Sequence, residues 1–147
     1  MSYIKINFPG GIISPGYLLD IIEILDKLAI RTVQFGLRQQ LIIYINEDVK
    51  DLLSNFLDEK HIFHEIDQEE YPNIISSYPA EEIFIQSNWL KEGIYKDILD
   101  GIDYRPKLKI NICDSNQSFT PMITGNINWI ASNSEPHFWY LLIRFPK

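Results

Sequence analysis

The sequence predicts an α+β protein in two parts: a β-α-β-β-α-β unit over residues 1–66 and a small mixed α/β subdomain over residues 67–147. Three observations carry that expectation. Segments with period-two alternation recur, as in "YIKINF" at 3–8 and "PKLKINIC" at 106–113. Stretches with apolar residues at helical spacing lie between them. A polar stretch broken by Pro72 and Pro79, "DQEEYPNIISSYPAEE" at 67–82, marks the boundary between the parts.

The elements follow in order. "YIKINF" reads as a strand, and "PGG" at 9–11 as a turn. Ser14 and Pro15 form an N-cap and first-position pair for a helix over 15–29, with Leu18, Ile21, Ile22, Leu25 and Leu28 on one face. "RTVQFGL" (31–37) and "QQLIIYI" (39–45) read as two strands, or as one strand bent near Gly36. Glu47 and Asp48 open a second helix, where carboxylates suit the positive end of the dipole, and Val49, Leu52, Leu53, Phe56 and Leu57 give it an apolar stripe. "HIFHEI" at 61–66 supplies a short strand and completes the order of a ferredoxin-like half-domain. Beyond the boundary, 87–102 reads as a helix weakened at Gly93. "PKLKINIC" is an alternating strand, and "GNINWIAS" (125–132) and "HFWYLLIRF" (137–145) are two more, joined by the turn-forming "NSEP". No internal repeat is present.

Composition narrows the function classes. The chain has 147 residues, 46% hydrophobic and 13% aromatic, enough for a true core. No apolar run is long enough to span a membrane, and the first residues lack the pattern of a signal peptide, so a cytoplasmic location is the expectation. The net charge of −7 argues against non-specific nucleic-acid binding, which needs phosphate neutralisation. The acids concentrate between Glu47 and Glu82, a run that reads as a solvated face. The single cysteine, Cys113, reads as a small buried strand residue.

Motif chemistry is sparse. There is no phosphate-binding Gly-rich loop, and no serine lies in a nucleophile elbow. His61 and His64 have no third ligand at motif spacing, and His137 stands alone near a turn. The tryptophans and the "HFWY" cluster read as core or interface. What stands out is a set of cations beside strand-like segments. Arg38 precedes "LIIYI" with Gln39 and Gln40, and Lys107 and Lys109, two apart in a strand, fall on one face. Two readings remain open: solvated strand ends and an edge lysine pair, or a cationic pocket in which a guanidinium fork and mobile ammonium groups receive an anion.

Several segments in shared order resemble the siroheme-dependent nitrite and sulfite reductases, in the first of their two pseudo-repeated halves. "FPGGIISPGYLLDIIEILDKLAIRTVQFGLRQQLIIYI" follows that family's Gly-Gly turn, helix and strand with an Arg-Gln pair. "YPNIISSYPA" resembles the opening of its adjoining α/β subdomain, "RPKLKINI" its Pro-Arg-Lys-Phe-Lys strand, and "GNINWIASNSEPHFWYLLI" the strand pair that follows. The resemblance implies catalytic roles for Arg38, Lys107 and Lys109 and a cofactor-binding set of Arg38, Gln40, Asn73, Lys107 and Lys109, with no metal ligand in the chain itself. It implies a siroheme, a 4Fe–4S cluster supplied by a missing C-terminal region, nitrite or sulfite as substrate, and a ferredoxin or rubredoxin as electron donor. The basic residues would hold the oxyanion and help deliver protons.

The chain departs from the pattern at three places. Pro72 stands where the family carries another arginine. Arg144, Phe145 and Pro146 replace a glycine-rich approach to the cofactor. The cluster-binding cysteines belong to the family's second half. The expectation is therefore the N-terminal part of a longer reductase-like protein, inactive alone. The alternatives are a degenerate, non-catalytic relative acting as a binding or self-association module, as a C2 homodimer for instance, and a likeness of fold only.

Overall fold

A computed structural model describes residues 1–84 and 88–145. The fold is mixed α/β, with two four-stranded sheets and several helices. The chain forms two compact units that are not contiguous in sequence. The first comprises Met1–Asn7, Ile13–Gly36 and Gln40–Glu70; the second comprises Phe8–Ile12, Leu37–Gln39 and Tyr71–Lys147. Pro146, one of the departures named above, lies outside the described residues, as does Ser87 at the start of the expected 87–102 helix.

The first unit runs β1 (Ser2–Ile6), α1 (Pro15–Lys27), β2 (Gln34–Phe35), β3 (Leu41–Ile45), α2 (Glu47–Glu59) and β4 (Glu65–Ile66). Its sheet has the order β2-β3-β1-β4, and every pairing is antiparallel. Strand register sets Ile4 opposite Ile43 and Ile6 opposite Leu41, so one face is apolar. These residues, Ile21, Ile24 and Leu25 of α1, and Leu53 and Leu57 of α2 are buried. α1 starts where the sequence places it, with Ser14 Oγ accepting from Tyr17 N at 3.2 Å and Pro15 at its first position. The expected strand over 61–66 shrinks to Glu65–Ile66, because His61 takes a positive φ and ends the helix instead. The acidic run is not uniformly solvated: Glu65 is buried and pairs with buried Lys5 across β1 and β4, Nζ to Oε2 at 2.7 Å.

The second unit holds β5 (Ile74–Ser76), α3 (Tyr78–Ile83), α4 (Glu92–Asp100), β6 (Ile110–Cys113), β7 (Ile127–Ala131) and β8 (Trp139–Ile143). The sheet order is β5-β6-β7-β8, with β5, β6 and β7 parallel and β8 antiparallel at the edge. β5 and α3 both fall in the stretch read as a polar boundary. Pro79 does not break the helix; it occupies its first turn, where a missing N–H costs nothing. β6 is shorter than expected and buried at every position, as a central parallel strand requires. Cys113 is fully buried on it. Two short segments from earlier in the chain complete this unit: the single-turn 3-10 helix Pro9–Gly11 and the centre of the β2–β3 connection, Leu37–Gln39.

Candidate functional site

Arg38 is not at a strand mouth. It lies in a turn within the five-residue connection Gly36–Gln40, with Gly36 N donating to Gln40 O at 2.9 Å. Its side chain is buried, 7% exposed. Nη1 donates to Asn111 Oδ1 at 2.9 Å, to Thr124 Oγ1 at 2.9 Å and to Thr124 O at 3.1 Å. Nη2 donates to Asn73 O at 2.5 Å and Ile110 O at 3.2 Å. The four terminal N–H groups thus meet five acceptors, all of them neutral. Nε is buried and has no hydrogen-bond partner among the described residues. No ion pair among those residues includes Arg38. Burial lowers its pKa to about 10, which leaves the guanidinium charged at neutral pH.

The acceptors belong to a buried amide chain. The register of β6 and β7 sets Asn111 beside Asn128, and Asn111 Nδ2 donates to Asn128 Oδ1 at 2.8 Å. Asn128 Nδ2 donates onward to Leu142 O of β8 at 3.2 Å. Both asparagines are fully buried. Thr124 Oγ1 accepts from Arg38 and donates to Pro121 O at 2.7 Å. Gly125 makes room for the chain: a Cβ there would sit 2.5 Å from Asn128 Oδ1 and 2.6 Å from Asn111 Nδ2. Sequence reasoning missed Asn111, Thr124, Gly125 and Asn128. The available signal was an asparagine in the middle of each of two apolar strands, "INI" and "INW".

Asn73 is brought to Arg38. Its Nδ2 donates to Arg38 O at 2.7 Å and to Phe8 O at 3.1 Å, fixing both inserted segments. Gln39, at φ 56°, turns its amide onto the free edge of β5: Nε2 donates to Ser76 O at 2.7 Å and Oε1 accepts from Ser76 N at 3.0 Å. This side chain imitates a neighbouring strand. Gly11 leaves it space, since a Cβ there would lie 2.6 Å from Gln39 Oε1. Gln40 belongs to the first unit, with its side chain against Gly36 and its Oε1 buried without a partner among the described residues.

The two lysines do not share a strand face, because β6 begins only at Ile110 and the chain bends at Lys107 and Leu108. Lys107 is exposed, with its ammonium 4.2 Å from the centroid of the Tyr71 ring, and Arg105 lies over the same ring at 5.7 Å. Lys109 is half-buried, and its backbone pairs with Asn126 and Ile127. His137 is exposed, as expected beside a turn. Of the "HFWY" cluster, Trp139 packs on the core, whereas Phe138 and Tyr140 are exposed. No protein-family model matches this sequence, and no curated protein matches it either.

A second polar group closes the C-terminal ends of β5 and β6. Ser77 Oγ accepts from Asp114 N at 3.1 Å and lies 3.2 Å from Thr120 Oγ1, and all three residues are buried. Burial pushes the adjacent Cys113 thiol up to about 11, so it is an unreactive thiol at neutral pH. Among the described residues, no group of three or more histidine, cysteine or acidic side chains is arranged to hold a metal ion, and no helix is long and apolar enough to cross a membrane.

Proposed function

We propose that the chain is a non-catalytic relative of the siroheme nitrite and sulfite reductases, with a ferredoxin-like half-domain in its first unit and an α/β subdomain in its second, and that it works as an association module. The first-unit element order and its β2-β3-β1-β4 sheet support the half-domain reading. The observation that carries the functional reading is the state of Arg38. Both terminal nitrogens of its guanidinium are committed to acceptors of the protein itself. A guanidinium so committed has no free fork for an oxyanion. Lys107 is spent on Tyr71, so the cations do not form the convergent set that a reduced tetrapyrrole and its bound anion need. The donors present fit a siroheme poorly, and no reaction step is derived through one.

The test is a siroheme titration followed by visible absorption, with nitrite and sulfite added afterwards. The expected result is no saturable spectral change. Saturable binding that Lys107→Ala and Lys109→Ala weaken, with the fold intact by circular dichroism, would replace this reading with the second one. That second reading makes the chain the N-terminal part of a reductase, with its 4Fe–4S cluster and a ferredoxin or rubredoxin donor provided elsewhere. One observation favours it: Arg38 is a buried cation with no carboxylate partner among the described residues, so its charge is not neutralised by a described side chain.

A further inference from the structure

The sheet of the second unit has one incompletely covered face. Strand register places Ile110 and Ile112 of β6, Ile127, Trp129 and Ala131 of β7, and Trp139, Leu141 and Ile143 of β8 on that face. α4, the residues after it and Trp89 before it cover only part of it: Trp89 meets Trp139 edge-on with ring centroids 5.2 Å apart, and Ile94, Ile98, Leu99 and Ile102 pack on a core of Ile74, Leu90, Tyr95, Ile110, Ile112 and Ala131. Four strands at about 4.8 Å spacing put the outer strand axes roughly 14 Å apart. A helix is about 10 Å across, so α4 leaves the β7–β8 side uncovered except where Trp89 meets Trp139. A groove of about 460 Å³ lies there, with Ile98, Ile102 and Tyr104 from one wall and Ile127, Trp129 and Trp139 from the sheet. Among the described residues, none that lines it is charged. Trp129 is 41% exposed, Leu141 49% and Ile143 51%.

Size and charge indicate what fits. Packed helices sit about 8–10 Å apart, and a helix laid beside α4 at that distance would lie over β7 and β8. The segment that carries this wall is acidic. Asp97, Asp100 and Asp103 alternate in sequence with Ile98, Ile102 and Tyr104 and are exposed; Asp100 lies within electrostatic reach of Lys96, and none of the three forms an ion pair among the described residues. No basic residue lies between Ile98 and Tyr104. We propose that this groove receives an amphipathic α-helix of a partner protein, seated by its apolar face and flanked by lysine or arginine that meets the Asp97–Asp103 carboxylates. The inference deepens the association-module reading and rests on it, since it names the partner that such a module would hold.

The experiment uses the full chain and a helical peptide of about five turns, with leucine on one face and lysine on the other. A peptide with glutamate in place of lysine is the control. Binding is read by tryptophan fluorescence and calorimetry. The lysine peptide should bind saturably, and the glutamate peptide at least tenfold more weakly. The exposed-face variant Leu141→Ser/Ile143→Ser should lower affinity for the lysine peptide by about tenfold or more. The triple variant Asp97→Asn/Asp100→Asn/Asp103→Asn should lower it as well and flatten its salt dependence. Circular dichroism of each variant checks the fold. Equal binding of the two peptides, no saturable binding, or affinities unchanged in both variants would overturn the inference. So would concentration-dependent dimerisation that Leu141→Ser/Ile143→Ser abolishes, because a second copy would then be the occupant. The siroheme titration is independent of these outcomes, so failure of the peptide to bind and failure of the non-catalytic reading are separate results.

Discussion

Replacing Arg38 with alanine removes a buried cation on which three parts of the chain converge: Asn73, the Ile110–Asn111 start of β6, and Thr124. The size of the loss follows from the contacts. A hydrogen bond from a charged donor contributes about 2 kcal/mol, and four terminal N–H groups are engaged. Against this stands the desolvation of the guanidinium. Its pKa falls from 12.5 to about 10, and a change of that size disfavours the buried cation by about 3 kcal/mol. The net loss expected for Arg38→Ala is about 5 kcal/mol, within the range for breaking buried charged networks and comparable to the whole stability of many domains. Arg38→Lys keeps the charge but offers three donors on a compact head that cannot span both acceptor sets, so about 2–3 kcal/mol is expected. Urea denaturation at neutral pH measures both, with the m-value checking that the transition stays two-state. If Arg38→Ala shifts stability by less than about 1 kcal/mol, or if lysine replaces arginine without loss, the anchoring role is wrong and a solvated or ligand-directed arginine is the better description.

Three further outcomes follow from the same structure. Gly125→Ala should cost about 2–4 kcal/mol in thermal or urea unfolding, since its Cβ would enter the space of the Asn111 and Asn128 amides; a neutral effect would show that the amide chain is loosely held. Lys5→Met strands the Glu65 carboxylate in a buried setting and should cost about 3–5 kcal/mol, whereas Lys5→Met/Glu65→Leu should regain much of that; equal losses in single and double variants would contradict the pairing. The Cys113 thiol, raised from 9.0 to about 11 by burial, ionises later in the folded chain than in the unfolded one. Its contribution is therefore full below about pH 9 and is lost as pH rises towards 11, so the stability advantage of the native chain over Cys113→Ala should shrink across that window in urea midpoints.

The first half of the fold was legible because its signals are local. Ser14 and Pro15 announce α1, Glu47 and Asp48 open α2, "YIKINF" alternates by letter, and "LIIYI" is a β-branched apolar run. The second half was harder for a physical reason. A buried parallel strand such as β6 or β5 is covered on both faces, so alternation carries no information, and β5 is only three residues long between polar neighbours. Lys107 and Lys109 looked strand-borne because "KLKINIC" alternates by letter, yet β6 begins only at Ile110, three residues after Lys107. Arg38 was conspicuous in the sequence, but its partners lie far along the chain. Only the pairing of β6 with β7 shows that Asn111 and Asn128 are neighbours that hold it.

The insertion of Phe8–Ile12 and Leu37–Gln39 into the second unit has a consequence for how the molecule is assembled. Arg38 meets Asn111 across 73 residues of sequence and Thr124 across 86. Contacts at such separation are made late in folding, after loop-closure entropy has been overcome. A fragment cut at Tyr71 would carry β5 to β8 yet lack the guanidinium that satisfies Asn111, and the amide that caps Ser76. The two units are therefore not exchangeable cassettes. Recombination or truncation between them would separate a polar core from its plug, and the split halves should regain native stability only when both are present together.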